Sequence, residues 1–230
     1  MKIHEAPQGS QAWLEARAGI PTASEFDSLI TPLWKIRTGE GPASYVARKL
    51  AEKWGGPLPS FGGTGATSWA MEQGQILESE VIPWYEYETG EHIQRVGFIT
   101  TDDGMAGCSP DGLIGDDGGI EIKAPQSPKH VEYILAGQLP PDYAAQVYGS
   151  LYVTGRAWWK FVSYRRHFPP LILTIERDEG ICSSIHEAID RFYDKFNAGW
   201  QHLVDLNGGE LPPKREPMTF AHEYRSEMPS

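Results

Sequence analysis

Apolar residues recur along the chain at two periods, and the places where the period changes mark out its elements. PASYVARKLAEKW, 42–54, sets Tyr45, Leu50 and Trp54 on one side of a helix. TASEFDSLI, 22–30, reads as a helix start, with Thr22 as N-cap and Glu25 completing a capping box. KWGGPLPSFGGTGATS, 53–68, is a Gly-, Pro- and Ser-rich loop. TSWAMEQGQILESEVIPWYEYETG, 67–90, predicts a long helix, bent or weakened near Gly74 and Pro83. From 92 to 125 the spacing shortens to that of short antiparallel strands joined by tight turns. Two helices follow over 127–155, split by Pro140 and Pro141. AWWKFVSYRR and LILTIERD are strands, and ICSSIHEAIDRFYDKFNAGWQHL is a final amphipathic helix.

Helices, a strand cluster, helices, two strands and a helix predict an α/β (α+β) fold, a central mixed β-sheet flanked by helices. The 230 residues suffice for one large domain, placed at 1–206. Residues 207–230, polar and proline-rich, are expected to form a loosely ordered tail.

Composition narrows the class. Hydrophobic residues are 40% and charged residues 22%, a globular balance. No apolar run approaches the roughly 20 residues of a membrane helix, and MKIHEAPQGSQAW lacks the apolar core of a signal peptide. Cys108 and Cys182 sit in no CxxC pair, and a reducing cytoplasm is the expected location. The seven histidines show no zinc spacing. The formal charge of −11 argues against a protein that coats nucleic acid non-specifically. It leaves room for acidic metal ligands, and for DNA enclosed by a basic inner wall.

The chemistry concentrates in CSPDGLIGDDGGIEIKAP, 108–125. Side chains two apart on a strand share a face, so Glu121 and Lys123 point one way and Ile120 and Ile122 the other. Gly115 to Gly119 can reverse the chain and bring Asp111 toward Glu121. Converging carboxylates favour a bound cation or a proton, and hard oxygen ligands suit Mg²⁺ or Mn²⁺. A lysine beside them could orient or help deprotonate a water attacking phosphorus. A surface hairpin with an Asp-Gly turn and a salt-bridged edge would use the same residues.

SPDG followed by IEIK resembles the PD-(D/E)xK nuclease motif. GSQAWLEARAGIPTASEF, GQILESEV, GCSPDGLI, GIEIKAP and AAQVYGSLYVTG occur in the order and approximate spacing of the lambda-type exonuclease family, the YqaJ-like viral recombinases. The resemblance implies a restriction-endonuclease-like core and Mg²⁺-dependent 5′→3′ hydrolysis of double-stranded DNA, with Mn²⁺ able to substitute and two ions per site. It implies mononucleotide products, a 3′ single strand, a homotrimeric ring around DNA and a single-strand annealing partner. Asp111, Glu121 and the Ile122 carbonyl match metal ligands. Glu78 matches a further acidic ligand, with Glu72 and Glu80 as competitors. Lys123 and Gln146 match residues near the nucleophilic water. Arg17, Ser24 and Ser109 match a 5′-phosphate pocket; arginine offers phosphate a planar fork of donors, and Ser24 falls in the first turn after Thr22. Met71, seven residues before Glu78 and on the same helix face, is a candidate wedge between strands. Trp158, Trp159 and the late tyrosines read as core aromatics, and YRRH, 164–167, as channel wall or strand end. The alternatives are a structure- or sequence-specific endonuclease of the same fold, and a DNA-end-binding recombination scaffold that does not cleave.

Overall fold

The computed structural model describes residues 1–58 and 80–213. Its centre is a five-stranded mixed sheet in the order β2-β5-β6-β7-β8. The strands are β2 (Ile93–Gln94), β5 (Gly112–Ile114), β6 (Gly118–Lys123), β7 (Trp158–Ser163) and β8 (Leu171–Glu176). β5 and β6 form an antiparallel hairpin, β6 and β7 run parallel, and β8 returns antiparallel. A parallel pair requires a crossover, supplied by α4 (Ser127–Ala136) and α5 (Pro141–Thr154). Pro141 occupies the first turn of α5, where its missing N–H costs nothing. A second sheet joins β1 (Lys2–His4), β3 (Phe98–Thr100) and β4 (Gly107–Cys108). The sequence pattern did not anticipate β1.

Helices cover both faces of the large sheet. On one face α2 (Glu40–Gly55), α5 and α6 (Glu179–Leu206) enclose Phe26, Leu151, Trp159, Phe161, Ile185 and Phe192. On the other α3, helical over 80–89 and continuous through Pro83, packs Val81, Ile82 and Tyr85 against Ile120, Ile122 and Val162. The alternation along β6 therefore falls as expected, with Ile120 and Ile122 on the smaller core. Its charged face looks toward the larger one: Glu121 pairs in register with Phe161 and is only 3% exposed. Gly119 makes the crowding on that face tolerable, since a Cβ there would lie 2.2 Å from the Trp159 ring.

The segment after Thr22 is a 3-10 helix, Ala23–Ser28, and the predicted capping box does not form. The Thr22 hydroxyl donates to the Glu25 carboxylate (3.1 Å) instead of capping a backbone N–H. Glu25 is drawn to Lys49 (3.0 Å) and Arg48 (2.8 Å) on α2. The backbone before it is pinned elsewhere, by a parallel bridge from Thr22 to Gly107 and by the Gly107 N–H on the Pro21 carbonyl (3.0 Å). A helix α1 (Gln11–Arg17), unassigned from the pattern, precedes it, capped by the Ser10 side chain on the Trp13 N–H. Both cysteines are free and buried. Among the described residues no helix is long and apolar enough to cross a membrane.

Candidate active site

The hairpin brings its carboxylates together. Gly112 pairs with Ile120, so Asp111 and Glu121 lie one step further toward the open end. Asp111 Oδ2 accepts from the Ile122 N–H at 2.5 Å, tying its carboxylate to the backbone between Glu121 and Lys123. Glu121 Oε1 accepts from Gln146 Nε2 and pairs with Lys123 Nζ, each at 2.6 Å. Buried charges survive only with such partners. Burial works against the Lys123 ammonium, but Glu121 beside it and Asp111 beyond hold the group above its ordinary range. The Lys123 Nζ also lies 5.0 Å from the centre of the Tyr143 ring.

A second cluster forms around a guanidinium. Arg17 Nη1 donates to Ser109 Oγ at 3.1 Å, and Nη2 reaches Thr22 Oγ1 at 3.5 Å. Thr22 Oγ1 in turn lies 3.4 Å from Ser24 Oγ. Trp13, one helical turn before Arg17, donates from Nε1 to the same Ser109 oxygen (3.1 Å) and sets its ring 4.2 Å beneath the guanidinium. Burial lowers the Arg17 pKa, with Glu25 and Glu52 opposing. The lining Trp13, Arg17, Glu25, Arg48, Lys49 and Glu52 borders an open cleft of about 410 Å³.

The two clusters are adjacent because Ser109 is two residues before Asp111. Gln8 pins the intervening Pro110 carbonyl (2.9 Å). α5 ties the clusters from above: Gln146 reaches Glu121, and one turn on, Gly149 lets the 3-10 segment approach. A Cβ on Gly149 would meet Phe26 at 2.7 Å and Ala23 at 2.9 Å.

Of the residues expected from sequence, Asp111, Glu121, Ile122, Lys123 and Gln146 converge, and so do Arg17, Ser24 and Ser109. Glu78, Glu72 and Met71 lie outside the described residues. Glu80 is paired with Arg166 of the YRRH stretch. Ser24 lies in the first turn of a 3-10 helix, so the anion-binding α-helix terminus expected at that position is not there. Sequence reasoning missed Trp13, Thr22, Gln8 and Tyr143 as parts of the site. For Trp13 and Tyr143 a signal existed: they stand four residues before Arg17 and three before Gln146, on the same helix faces.

The donor set suits a hard divalent cation, since the acidic side chains that converge on the hairpin offer carboxylate oxygens. Among the described residues no group of three or more His, Cys, Asp or Glu side chains is placed to hold a metal.

Residues 12–157 match the model of the YqaJ-like viral recombinase domain. The chain is similar to the crystal structure of LHK-Exo in complex with dAMP, at 30% identity and a TM-score of 0.76, over 87% of this chain and 99% of that one. It is similar to the alkaline exonuclease LHK-Exo from Laribacter hongkongensis at 30% identity and a TM-score of 0.75, over the same shares, 87% and 99%. A phage related exonuclease from Haemophilus somnus 129PT, 14% identical with a TM-score of 0.56 over 78% and 96%, shares the fold. No curated protein matches the chain. The mixed sheet flanked by helices is of the restriction-endonuclease-like type that these nucleases carry.

Proposed function

The chain belongs to the YqaJ-like viral recombinase family and is a nuclease, and from that premise we propose a divalent-metal-dependent exonuclease that degrades one strand of linear double-stranded DNA 5′→3′. It would release mononucleotides and leave a 3′ single strand for recombination by strand annealing. One observation carries the reading: Ser109, held by Arg17 and Trp13, is two residues from Asp111, the first carboxylate of the hairpin. An anion site and a cation site on one short element fit a substrate with a terminal phosphate and a scissile bond next to it. Cutting inside a duplex needs no grip on a terminal phosphate.

Asp111, Glu121 and the Ile122 carbonyl would hold Mg²⁺, with Mn²⁺ able to substitute and Glu78 as a further ligand. The metal would lower the pKa of a bound water and stabilise charge on the phosphate oxygens. Lys123 and Gln146 share one Glu121 oxygen, so a water beside that carboxylate would meet both. Lys123, held as the ammonium by its acidic neighbours, would orient that water and offset negative charge at phosphorus. Arg17, Ser24, Ser109 and the neighbouring Thr22 would grip the 5′-phosphate, arginine through its planar fork. The formal charge of −11 fits DNA enclosed by a closed homo-oligomer, a trimeric ring in this reading, working with a single-strand annealing protein in the cytoplasm.

The test uses linear duplex with a 5′-phosphate, labelled at either end, in Mg²⁺ or chelator, beside a covalently closed circle. Mg²⁺-dependent early release of 5′ label as mononucleotide, with 3′ label retained and the circle intact, is expected. A cut circle would replace the exonuclease with an endonuclease of the same fold. Binding of phosphorylated ends without cleavage would make the protein an end-binding scaffold.

A further inference from the structure

The geometry points to Tyr143 as a positioning residue for Lys123, its ring face fixing where the ammonium sits. This rests on the nuclease reading of the hairpin and adds to it a residue on α5. Lys123 Nζ lies 5.0 Å from the Tyr143 ring centre, within the range at which an ammonium is attracted to the face of an aromatic ring. The side chain of Lys123 is only 24% exposed, so water screens the contact little.

The half-buried ring is flanked by two other aromatic rings. It packs at 5.5 Å and 32° against Phe161, the β7 residue in register with Glu121. On its other side it meets Tyr133 of α4 edge to face, at 6.0 Å and 79°. Tyr143 precedes Gln146 by three residues, and α5 thus delivers two groups to one site: the amide to Glu121 and the ring to Lys123.

A ring is suited to this task because of what else surrounds Lys123. Its only ion-pair partner among the described residues is Glu121, at 2.6 Å, and the same oxygen also takes Gln146. A carboxylate expected to serve a hard cation is an unreliable anchor for a lysine, since both positive charges draw on it. The face of a phenol attracts an ammonium without being a ligand for Mg²⁺, whose preference is for hard oxygen donors. Tyr143 therefore keeps Lys123 in place whatever Glu121 is doing.

The experiment compares Tyr143→Phe with Tyr143→Leu, alone and with Lys123→Ala. Tyr143→Phe keeps the ring and should cut phosphorylated duplex within about twofold of wild type, while Tyr143→Leu should lose about tenfold in kcat with KM little changed. In the Lys123→Ala background the Tyr143→Leu loss should vanish, because a residue acting through Lys123 has nothing left to position. Equal activity of the Phe and Leu variants, or a full loss retained without Lys123, would overturn the assignment. A second cycle on unfolding of the metal-free protein reads the contact without catalysis: the two sites should couple by about threefold in the folding constant. Additive unfolding effects would overturn it. A wild-type protein that cuts no DNA would instead overturn the nuclease reading, and the unfolding cycle would still decide the contact.

Discussion

The carboxylate hairpin and the arginine cluster touch at Ser109 to Asp111, yet they draw on very different lengths of chain. Asp111 reaches Ile122 across 11 residues, Glu121 reaches Lys123 across two, and the longest link, to Gln146, spans 25. Arg17 and Trp13 reach Ser109 across 92 and 96. Their charge is opposite as well. The hairpin sets two carboxylates against one ammonium, an excess of negative charge that favours a cation. The arginine meets mainly hydroxyls and a ring, while the nearest acid of that region, Glu25, is engaged by Lys49 and Arg48. One region is built to gain positive charge and the other negative, which is what a divalent cation and a terminal phosphate would supply.

Removing the ammonium should break this comparison most severely. Lys123→Ala is expected to retain binding of phosphorylated ends and to lose about 10²–10⁴ in cleavage rate, the span for a positioned acid–base group. Single-turnover cleavage alongside end binding in Ca²⁺ measures both. Near wild-type turnover would take Lys123 out of the chemistry.

The difference in chain length also explains what could be read in advance. Two-residue periodicity places Glu121 and Lys123 on one face without any knowledge of the rest of the molecule, and the glycines that follow Asp111 announce the turn. Nothing local announces that Arg17 meets Ser109; that pairing came from family resemblance, and the structure achieves it through a bridge between Thr22 and Gly107. The segment 22–30 misled for the same reason. Its local pattern favours an α-helix, but the bridge on one side and the pull of Lys49 on Glu25 on the other tighten it to a 3-10 turn. Which core the charged face of β6 would meet was equally invisible, because alternation gives two faces and says nothing of what covers each.

Arg17→Ala should sharpen the comparison by disabling one region alone. A hydrogen bond to a charged group contributes about 1.5–3 kcal/mol, so loss of the guanidinium should slow attack on 5′-phosphorylated ends by about ten- to a hundredfold. Ends carrying a 5′-hydroxyl should be attacked at an almost unchanged rate, since the hairpin is intact. Equal losses on both ends would mean that Arg17 holds the fold near Ser109 rather than a phosphate.

The smallest effect on rate, and a visible one on stability, should come from Glu25, which anchors the arginine region to α2 without lying in the hairpin. Burial alone would raise its pKa, but Lys49, Arg48 and the Thr22 hydroxyl outweigh burial and hold it below the ordinary value of 4.5. A carboxylate with a depressed folded pKa contributes stability that is complete above its unfolded pKa and lost as pH falls through the folded one. Lys49, only 3% exposed, depends on this partner and on Glu52 at 2.9 Å. Glu25→Gln should therefore cost about 2 kcal/mol at pH 7, below the full cost of splitting a wholly buried pair because Glu25 is partly open to solvent. Denaturant unfolding at pH 7 and at acid pH measures the gap between the two proteins, which should narrow on acidification as wild type gives up the stability that the variant already lacks. Cleavage of 5′-hydroxyl ends should stay near wild type while discrimination in favour of phosphorylated ends weakens. A gap that stays constant across the acid range would show that the shape of Glu25, and not its charge, holds the arginine region against α2.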